Sequence, residues 1–241
     1  RYLSGDRYNY HYWHQQIMCK QSFSLFPHKD IGNLKWENEL NCKDKPSLYI
    51  PLQMFPEATV DYWCEDIKVI KYYETLEKLI KRLHNNFSLF VKEHPDVVGS
   101  RPKKFYSKIK NDRRITVIPT FVNSNYIVKK TDGVIIWTGS VGLDAMIRGK
   151  AVFSVGTPFF ANGKRFLKID LNTKLKKMLN HISLCKKNSI SHYEQKKTFE
   201  YVAQQMYKGN YKNHFDWSEK NHNDIKDVKK MASSCKHLFR L

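Results

Sequence analysis

The apolar residues of the chain form two patterns, short continuous runs and longer stretches of helical period. Short apolar runs bounded by turn-forming residues are typical of buried strands in a parallel sheet. The clearest helical pattern covers residues 66–85, where apolar side chains recur every three or four positions. We predict strands at 47–52, 87–92, 115–118, 134–137 and 151–155. We predict helices at 66–85, 103–110, 125–130 and 141–149.

Strands that alternate with helices indicate a mainly parallel α/β sheet, with helices on both faces and right-handed crossovers. After Phe160 the pattern becomes helical, at 171–183, 192–207 and 218–241. We therefore divide the chain into an amino-terminal segment (1–46), an α/β domain (47–170) and a helical segment that packs on it (171–241).

A turn of small residues follows the predicted strand at 134–137. It consists of Thr138, Gly139 and Ser140, and the next helix begins near Val141. A turn of this kind offers backbone N–H groups and the positive end of a helix dipole to an anion. We predict a phosphate site there. The alternative is that any strand–helix–strand unit needs a glycine at such a turn.

Charged residues follow the predicted strand at 87–92. The strand ends on Lys92 and the chain continues as Glu93, His94 and Pro95. The carboxyl ends of parallel strands form the rim where open α/β sheets bind their ligands. Pro95 takes the chain out of the strand at that rim. We therefore predict a ligand-binding role for His94, although a lone histidine is often a packing residue.

A third loop follows the strand at 47–52. Like the loops after 92 and 137, it lies at the carboxyl end of a predicted strand, and we call each of these loops a rim. Pro51 and Pro56 bracket Gln53, and Glu57 comes directly after the second proline. Two prolines make a poor strand interior and favour a loop that faces a ligand. A glutamine at such a position also often serves only to cap backbone groups. We prefer a site role because three such rims coincide at the same sheet edge.

These segments together resemble a known family. The series is Pro51-Leu-Gln-x-x-Pro56-Glu-Ala-Thr59, Lys92-Glu-His-Pro95, Thr138-Gly-Ser-x-Gly-Leu-Asp-Ala145 and Gly149-Lys-Ala-Val-Phe-Ser-Val-Gly156. In order and spacing, residues 47–160 resemble the bacterial capsule polysaccharide biosynthesis and export proteins. That family includes transferases that use CMP-activated Kdo.

The resemblance implies a Rossmann-like fold, the carboxyl-terminal, nucleotide-binding domain of a GT-B glycosyltransferase. It also implies that the carboxyl-terminal helices pack back across a domain junction. Residues 1–46 are too short for the amino-terminal domain that usually binds acceptor in such enzymes. We expect either that the chain is a fragment or that a partner supplies that half.

The resemblance also suggests roles for individual residues. A His-Pro pair and a Ser/Thr-bearing turn contact the CMP part of the donor in GT-B sialyltransferases, which they resemble here. Asp144 stands where the family more often has Glu, so its hydrogen bond to a ribose hydroxyl is a weaker expectation. Asp144 could instead cap and balance the start of its helix.

We expect the departing phosphate to be held by the turn at 138–140. Gly142 would permit close approach, and Lys92 would add positive charge. His94 would hydrogen-bond the phosphate or the donor sugar, since an imidazole can donate in either protonation state. Glu57 and Glu93 are the candidate acid/base carboxylates, and structural pairing is an equal alternative for both. No Asp-x-Asp motif is present, so we expect no metal requirement.

The chain is strongly basic, with 42 Lys and Arg against 23 Asp and Glu and a formal net charge of +19. Such a surface suits an anionic inner membrane leaflet, an acidic nucleotide sugar or polymer, or nucleic acid. No RNP-type, zinc-finger or helix-turn-helix pattern accompanies the charge, so nucleic acid is the third choice. Many of the lysines could also serve only solubility.

Five cysteines lie scattered along the chain, an odd number without metal-ligand spacing. Reduced thiols of this kind indicate the cytoplasm. No apolar run approaches the ~18 to 20 residues that span a bilayer, and the chain does not open on a signal-peptide pattern. We expect a cytoplasmic protein that can be peripheral at the inner face of the plasma membrane. His11 and His14 lie among aromatic residues and are interpreted as a packing cluster rather than a metal site.

The function that we predict is transfer of Kdo or a related acidic sugar to a glycan or glycolipid acceptor. The donor is a CMP-sugar, with a UDP-sugar as second choice, and no further cofactor or metal is required. Expected partners are the anionic inner-membrane surface or capsule assembly proteins. The alternative is a non-catalytic nucleotide- or polysaccharide-binding module of a capsule assembly or export complex.

Overall fold

A six-stranded parallel sheet forms the centre of the molecule. The computed structural model describes residues 31–42, 44–55, 64, 71–99 and 101–204. Every pair of neighbouring strands in the sheet is parallel. The strands are β1 (Ser47–Pro51), β2 (Ser88–Lys92), β3 (Ile115–Ile118), β4 (Gly133–Ile136), β5 (Ala151–Ser154) and β6 (Phe166–Lys168). The predicted parallel α/β sheet is confirmed.

Seven α-helices and one short 3-10 turn, Pro95–Val97, surround the sheet in the described part of the chain. The helices are α1 (Trp36–Asn41), α2 (Tyr72–Leu83), α3 (Lys103–Asn111), α4 (Ser124–Lys130), α5 (Val141–Ile147), α6 (Leu175–Lys187) and α7 (His192–Gln204). None of these helices has both the length and the apolar character that crossing a membrane requires.

The strands lie in the order β3-β2-β1-β4-β5-β6, so the direction of strand addition reverses between β1 and β4. This order defines a Rossmann-like sheet, as predicted. Ligands of such sheets bind in the crevice beyond the carboxyl ends of the strands at the reversal. Leu48 of β1 pairs with Leu89 of β2 on one side and with Gly133 of β4 on the other. The residues that follow β1, β2 and β4 therefore meet at one edge of the sheet.

Side chains alternate between the two faces of the sheet and divide the core into two layers. Leu48 and Ile50 pack in the first layer with residues of α2, α3 and α6. Tyr49 packs in the second layer with residues of α1, α4, α5 and α7. Helices thus cover both faces, as predicted.

Two elements, α1 and β6, were not predicted from the sequence pattern. The edge strand β6 is three residues long and not fully buried, so it contains no apolar run to detect. Helix α1 belongs to the predicted amino-terminal segment, and its Trp36 and Leu40 are buried in the second core layer. The described part of that segment therefore packs on the α/β domain.

The helix predicted at 171–183 begins and ends four residues later, as α6. A turn at Asp170–Thr173 explains the shift, because Asp170 Oδ1 accepts from the Asn172 N–H and from Thr173 Oγ1. These bonds compete with helix formation at that point. The helix predicted at 218–241 and the first residues of the one predicted at 66–85 lie outside the described residues.

Gly142 allows α5 to pack closely on β4. A Cβ atom at this position would lie 2.4 Å from Ile136 Cδ1 and 2.9 Å from the ring of Phe160. Both neighbours are core side chains. The position that a side chain would occupy therefore faces the protein interior. The predicted role of Gly142, close approach of a ligand, does not fit this geometry, and helix packing explains the glycine.

Gly142→Ala is expected to lower the free energy of unfolding by about 1 to 2 kcal/mol. Overpacking of about 1 to 3 kcal/mol outweighs a gain in helix propensity of up to about 1 kcal/mol. Gly139→Ala is the control, because the nearest described atom to a Cβ there is Gln53 Oε1 at 3.5 Å, an ordinary contact. Urea unfolding followed by circular dichroism measures both variants. Equal stability of the two would contradict the packing role.

Candidate functional site

The ends of β1, β2 and β4 meet at the reversal point of the sheet, where the sequence places its three rims. The backbone N–H of Leu52, after β1, donates to the carbonyl of Lys92 at the end of β2 (2.8 Å). On the other side, the N–H of Thr138, after β4, lies 3.5 Å from Gln53 Oε1. The structure thus brings the three predicted segments together at the place where sheets of this topology bind ligands, which we call the crevice.

The turn after β4 is held by hydrogen bonds from the end of β5, whereas two of its own backbone N–H groups have no acceptor among the described residues. The Trp137 carbonyl accepts from the Gly156 N–H (3.0 Å) and from Ser154 Oγ (2.8 Å). Thr138 is buried, whereas Ser140 is exposed. Among the described residues, none accepts a hydrogen bond from the backbone N–H of Gly139 or Ser140. These donors can therefore serve a ligand.

Ser140 is the N-cap residue of α5, but its side chain makes no capping hydrogen bond. Its hydroxyl therefore adds a further donor beside the two backbone N–H groups. Asp144 lies one turn into α5, half-buried, and its N–H donates to the Ser140 carbonyl (3.3 Å). Residues four apart share one side of a helix. Ser140 and Asp144 therefore lie on the same side of α5.

Gln53 is buried and is held at three points. Its N–H donates to the Tyr72 hydroxyl (2.9 Å), and its carbonyl accepts from Arg101 Nη2 (2.7 Å). Its side-chain oxygen faces the Thr138 N–H at the long distance of 3.5 Å. This geometry favours the capping alternative, in which Gln53 ties the β1 loop to the β4 turn.

Glu93 forms a buried ion pair with Arg101. Arg101 Nε donates to Glu93 Oε2 (2.7 Å) and Nη2 donates to Oε1 (2.8 Å), with the two side chains 1% and 5% exposed. The Tyr106 hydroxyl also donates to Oε2 (2.9 Å), and the His94 N–H donates to Oε1 (2.6 Å). Four donors thus satisfy the Glu93 carboxylate. This pairing is the structural alternative for Glu93, and its predicted acid/base role does not fit a carboxylate so fully engaged.

The ion pair also changes the titration of its neighbours. Burial alone would lower the pKa of the Arg101 guanidinium, but the charge and hydrogen bonds of Glu93 outweigh burial and raise it. Burial raises the pKa of the Tyr106 hydroxyl, and the charge of Glu93 raises it further. Both shifts favour a charged Arg101 and a neutral Tyr106 hydroxyl that donates to Glu93.

Arg101 also packs between aromatic rings. Its Cζ lies 5.6 Å from the ring centroids of both Tyr72 and Phe105, within cation–π range. Its Nη1 atom is buried and has no hydrogen-bond partner among the described residues. The ring faces partly compensate this desolvated nitrogen. Arg101 thus joins the loop after β1, the loop after β2 and the start of α3.

Lys92, His94 and Pro95 form the rim after β2. Lys92 is 4% exposed, and its Nζ donates to the Glu93 carbonyl (3.4 Å). Its ammonium group therefore lies below the rim and not on the surface of the crevice. His94 is half-buried and Pro95 is exposed, at the start of the 3-10 turn. The chain leaves the sheet after Lys92, at the predicted rim, and Pro95 begins the 3-10 turn three residues later.

Sequence reasoning missed Arg101, Tyr72 and Tyr106. Arg101 directly precedes Pro102 and the start of α3, and its charge alone does not separate it from the surrounding lysines. The available signal was the acidic Glu93 in the same loop, which requires an opposite charge if it is buried. The two tyrosines lie at helical positions that a core role explains equally well.

Glu57, the other acid/base candidate, lies outside the described residues, as do His11 and His14. Within the described ranges, no group of three or more His, Cys, Asp or Glu side chains is arranged to hold a metal ion.

The family of the chain follows from a comparison of sequences. The model of the capsule polysaccharide biosynthesis protein family matches residues 11–164, which is more than half of the chain. The chain therefore belongs to this family, and the resemblance of the motifs is confirmed.

One curated relative is the capsule polysaccharide modification protein LipA of Neisseria meningitidis serogroup B (strain ATCC BAA-335 / MC58). It is 21% identical over 138 residues, which cover 57% of this chain and 19% of LipA. The chain thus spans about a fifth of the length of this relative.

Two solved structures of Thermosulfurimonas dismutans KpsC are also similar. The beta Kdo 2,4 transferase is 15% identical, with a TM-score of 0.42 over 66% of this chain and 52% of that chain. The beta Kdo 2,7 transferase is 20% identical, with a TM-score of 0.43 over 85% of this chain and 64% of that chain.

Arg101→Leu and Glu93→Leu are each expected to lower the free energy of unfolding by about 3 to 5 kcal/mol, because each leaves a buried charge without its partner. The double variant is expected to unfold at a higher urea concentration than either single variant, since no unpaired charge remains. A double-mutant cycle in urea measures the coupling.

Arg114 and Asp112 provide a matched control for this cycle. Arg114 Nε and Nη2 donate to the two carboxylate oxygens of Asp112 (2.8 and 2.7 Å), the same two-point geometry, but the Arg114 side chain is 29% exposed. The coupling energy of this more exposed pair is expected to be about 1 kcal/mol or less. Additive losses at Arg101 and Glu93, or equal coupling energies in the two cycles, would show that the Arg101–Glu93 pair does not stabilise the loop after β2.

Proposed function

We propose that the chain carries the donor-binding half of a capsule glycosyltransferase. In this proposal it binds a CMP-activated acidic sugar, Kdo or a related sugar, for transfer to a glycan or glycolipid. Membership of the capsule polysaccharide biosynthesis family supports the biological setting. The fold supports donor binding, because Rossmann-like sheets bind nucleotides at the reversal of strand order.

The observation that carries the proposal is the open turn after β4. It presents the backbone N–H groups of Gly139 and Ser140 and the uncapped Ser140 hydroxyl at the crevice. Three donors without an acceptor among the described residues suit the oxygens of a phosphate. A phosphate group accepts such bonds strongly because it is charged.

Charge stabilisation is the chemistry that this site would supply. When the bond between the donor sugar and the CMP phosphate breaks, negative charge develops on the phosphate, and fixed donors stabilise it. The Ser140 hydroxyl and the N–H groups of Gly139 and Ser140 would take this role. His94 would donate a further hydrogen bond from its imidazole, which can do so whether neutral or protonated.

The other residues of the rim would support these donors. Lys92 lies below the rim, where its ammonium group adds positive potential without contact to the ligand. Gln53 and Glu93 fix the loops that carry the donors. Asp144, on the same side of α5 as Ser140, is the candidate to accept from a ribose hydroxyl. Glu57 remains the candidate base for the acceptor hydroxyl.

The acceptor and the partners form the outer part of the proposal. A glycan or glycolipid acceptor would face the crevice from the opposite side. A second domain, or a partner such as a capsule assembly protein, would bind it there. In this scheme the reaction takes place at the cytoplasmic face of the membrane. No metal is needed in this scheme, because the developing charge has protein donors.

Calorimetric titration with CMP tests the proposal. His94→Ala is expected to weaken CMP binding more than about tenfold, since a hydrogen bond to a charged group contributes roughly 1.5 to 3 kcal/mol. The melting temperature should change little. His84→Ala is the matched control: this half-buried histidine follows α2, its Nδ1 lies 2.8 Å from the Lys81 carbonyl, and we expect unchanged affinity.

Four results would count against the proposal. If His94→Ala melts much earlier while its folded fraction binds CMP normally, His94 is a packing residue. Binding that disappears with a chelator and returns with magnesium would contradict the metal-free scheme. Stronger binding of UDP than of CMP would remove the Kdo-type donor but leave sugar transfer. Tight CMP binding without turnover of any CMP-sugar would instead favour a binding module.

A further inference from the structure

Positive charge is distributed unequally between the two helical layers. In the layer of α2, α3 and α6, the exposed lysines of α3 are Lys103, Lys104, Lys108 and Lys110. Those of α6 are Lys176, Lys177, Lys186 and Lys187. Those of α2 are Lys78 and Lys81. The acidic residues of these three helices are Glu74 and Glu77. We call the outer side of this layer the basic face.

The opposite layer is nearly neutral. Its helices α1, α4, α5 and α7 carry the exposed lysines Lys129, Lys130, Lys196 and Lys197. The same helices carry the carboxylates Glu37, Glu39, Asp144, Glu194 and Glu200. If the lysines served only solubility, we would expect similar numbers of them on the two layers. The unequal distribution therefore requires a separate explanation.

The basic face is continuous across its three helices. Lys108 of α3 pairs with Glu77 of α2 (2.6 Å). The hydrogen bond from Lys108 lowers the pKa of the Glu77 carboxyl, and the pair neutralises one of the two carboxylates. Arg82 of α2 donates to the carbonyl of Thr173, just before α6. Packed helices lie about 8 to 10 Å apart, so three of them form a surface on the order of 20 Å wide. Leu184 of α6 lies among these lysines and is 58% exposed.

We propose that the basic face docks the protein on an anionic lipid surface. Lys186 pairs with Asp132 (2.9 Å), but most of the other lysines of the three helices have no acidic partner among the described residues, so a planar array of headgroups can meet them within about one Debye length, ~8 to 10 Å. A single extended acidic polymer would contact the lysines of one helix and leave those of the others unpaired. An exposed leucine among lysines also suits the headgroup boundary of a bilayer. A basic surface that extends over three helices thus favours lipid over polymer.

The proposal is independent of the proposed donor site. The basic face consists of the outer sides of α2, α3 and α6, whereas the donor crevice lies at the carboxyl edge of the sheet. CMP affinity therefore reports on the crevice, and vesicle binding reports on the face. Either of the two proposals can therefore be contradicted while the other holds.

The test compares two variants of equal net charge. The face variant replaces Lys103, Lys110, Lys176 and Lys177 by Gln. The control variant replaces Lys129, Lys130, Lys196 and Lys197 by Gln on the opposite layer. Both are incubated with vesicles of phosphatidylglycerol and phosphatidylcholine, and with vesicles of phosphatidylcholine alone, and binding is measured by co-sedimentation. Circular dichroism and the melting temperature confirm that each variant is folded.

We expect the unchanged chain to bind the anionic vesicles and not the neutral ones. Each lysine near such a surface contributes roughly fivefold to partitioning, so the face variant should lose at least about tenfold. The control variant should lose much less, and higher salt should weaken binding of the unchanged chain. Equal losses in the two variants would show that net charge alone matters and would overturn the proposal.

A soluble acidic polysaccharide, polygalacturonate, provides the competing arm. If the face variant keeps vesicle binding but loses polygalacturonate binding, the surface is a polymer site and the lipid proposal is wrong. Absence of vesicle binding by the unchanged chain would also overturn it.

Discussion

The buried ion pair between Arg101 and Glu93 holds the candidate site together. Charges removed from water are costly unless each one finds several partners. The Glu93 carboxylate accepts from Arg101, Tyr106 and the His94 backbone, while Arg101 reaches across to the Gln53 carbonyl. The loops after β1 and β2 therefore keep a fixed separation. The position of His94 depends on this contact, because its own N–H is one of the donors.

The residues around the crevice divide into those that support the site and those that can bind. Glu93, Lys92 and Gln53 are buried and already hydrogen-bonded. Ser140 and the N–H of Gly139 offer donors that have no acceptor among the described residues. A buried, hydrogen-bonded layer below a small open layer is the arrangement that fixed donors need if they are to stabilise developing charge. The sheet topology determines where these donors lie, because ligands of such sheets bind at the reversal of strand order, here between β1 and β4.

The fold and the meeting of the three rims at one sheet edge could be predicted from the sequence because both depend on local patterns. The apolar runs of β1 to β5 are continuous, and each rim follows its strand directly, so parallel topology alone brings the rims together. The roles within the site were harder to predict. Arg101 meets Gln53 across 48 residues, and no local pattern records such a contact. Gly142 was assigned to a ligand because a glycine near a turn gives the same signal whether it faces a phosphate or, as here, a core ring.

The most direct measurement is a crystal structure of the chain with CMP. The account predicts the phosphate of CMP beyond β4, with oxygens about 3 Å from the N–H groups of Gly139 and Ser140. It also predicts the His94 ring in contact with the nucleotide and the Arg101–Glu93 pair unchanged beneath it. A nucleotide bound elsewhere, or one bound at the crevice without contact to the 138–140 turn, would contradict the account.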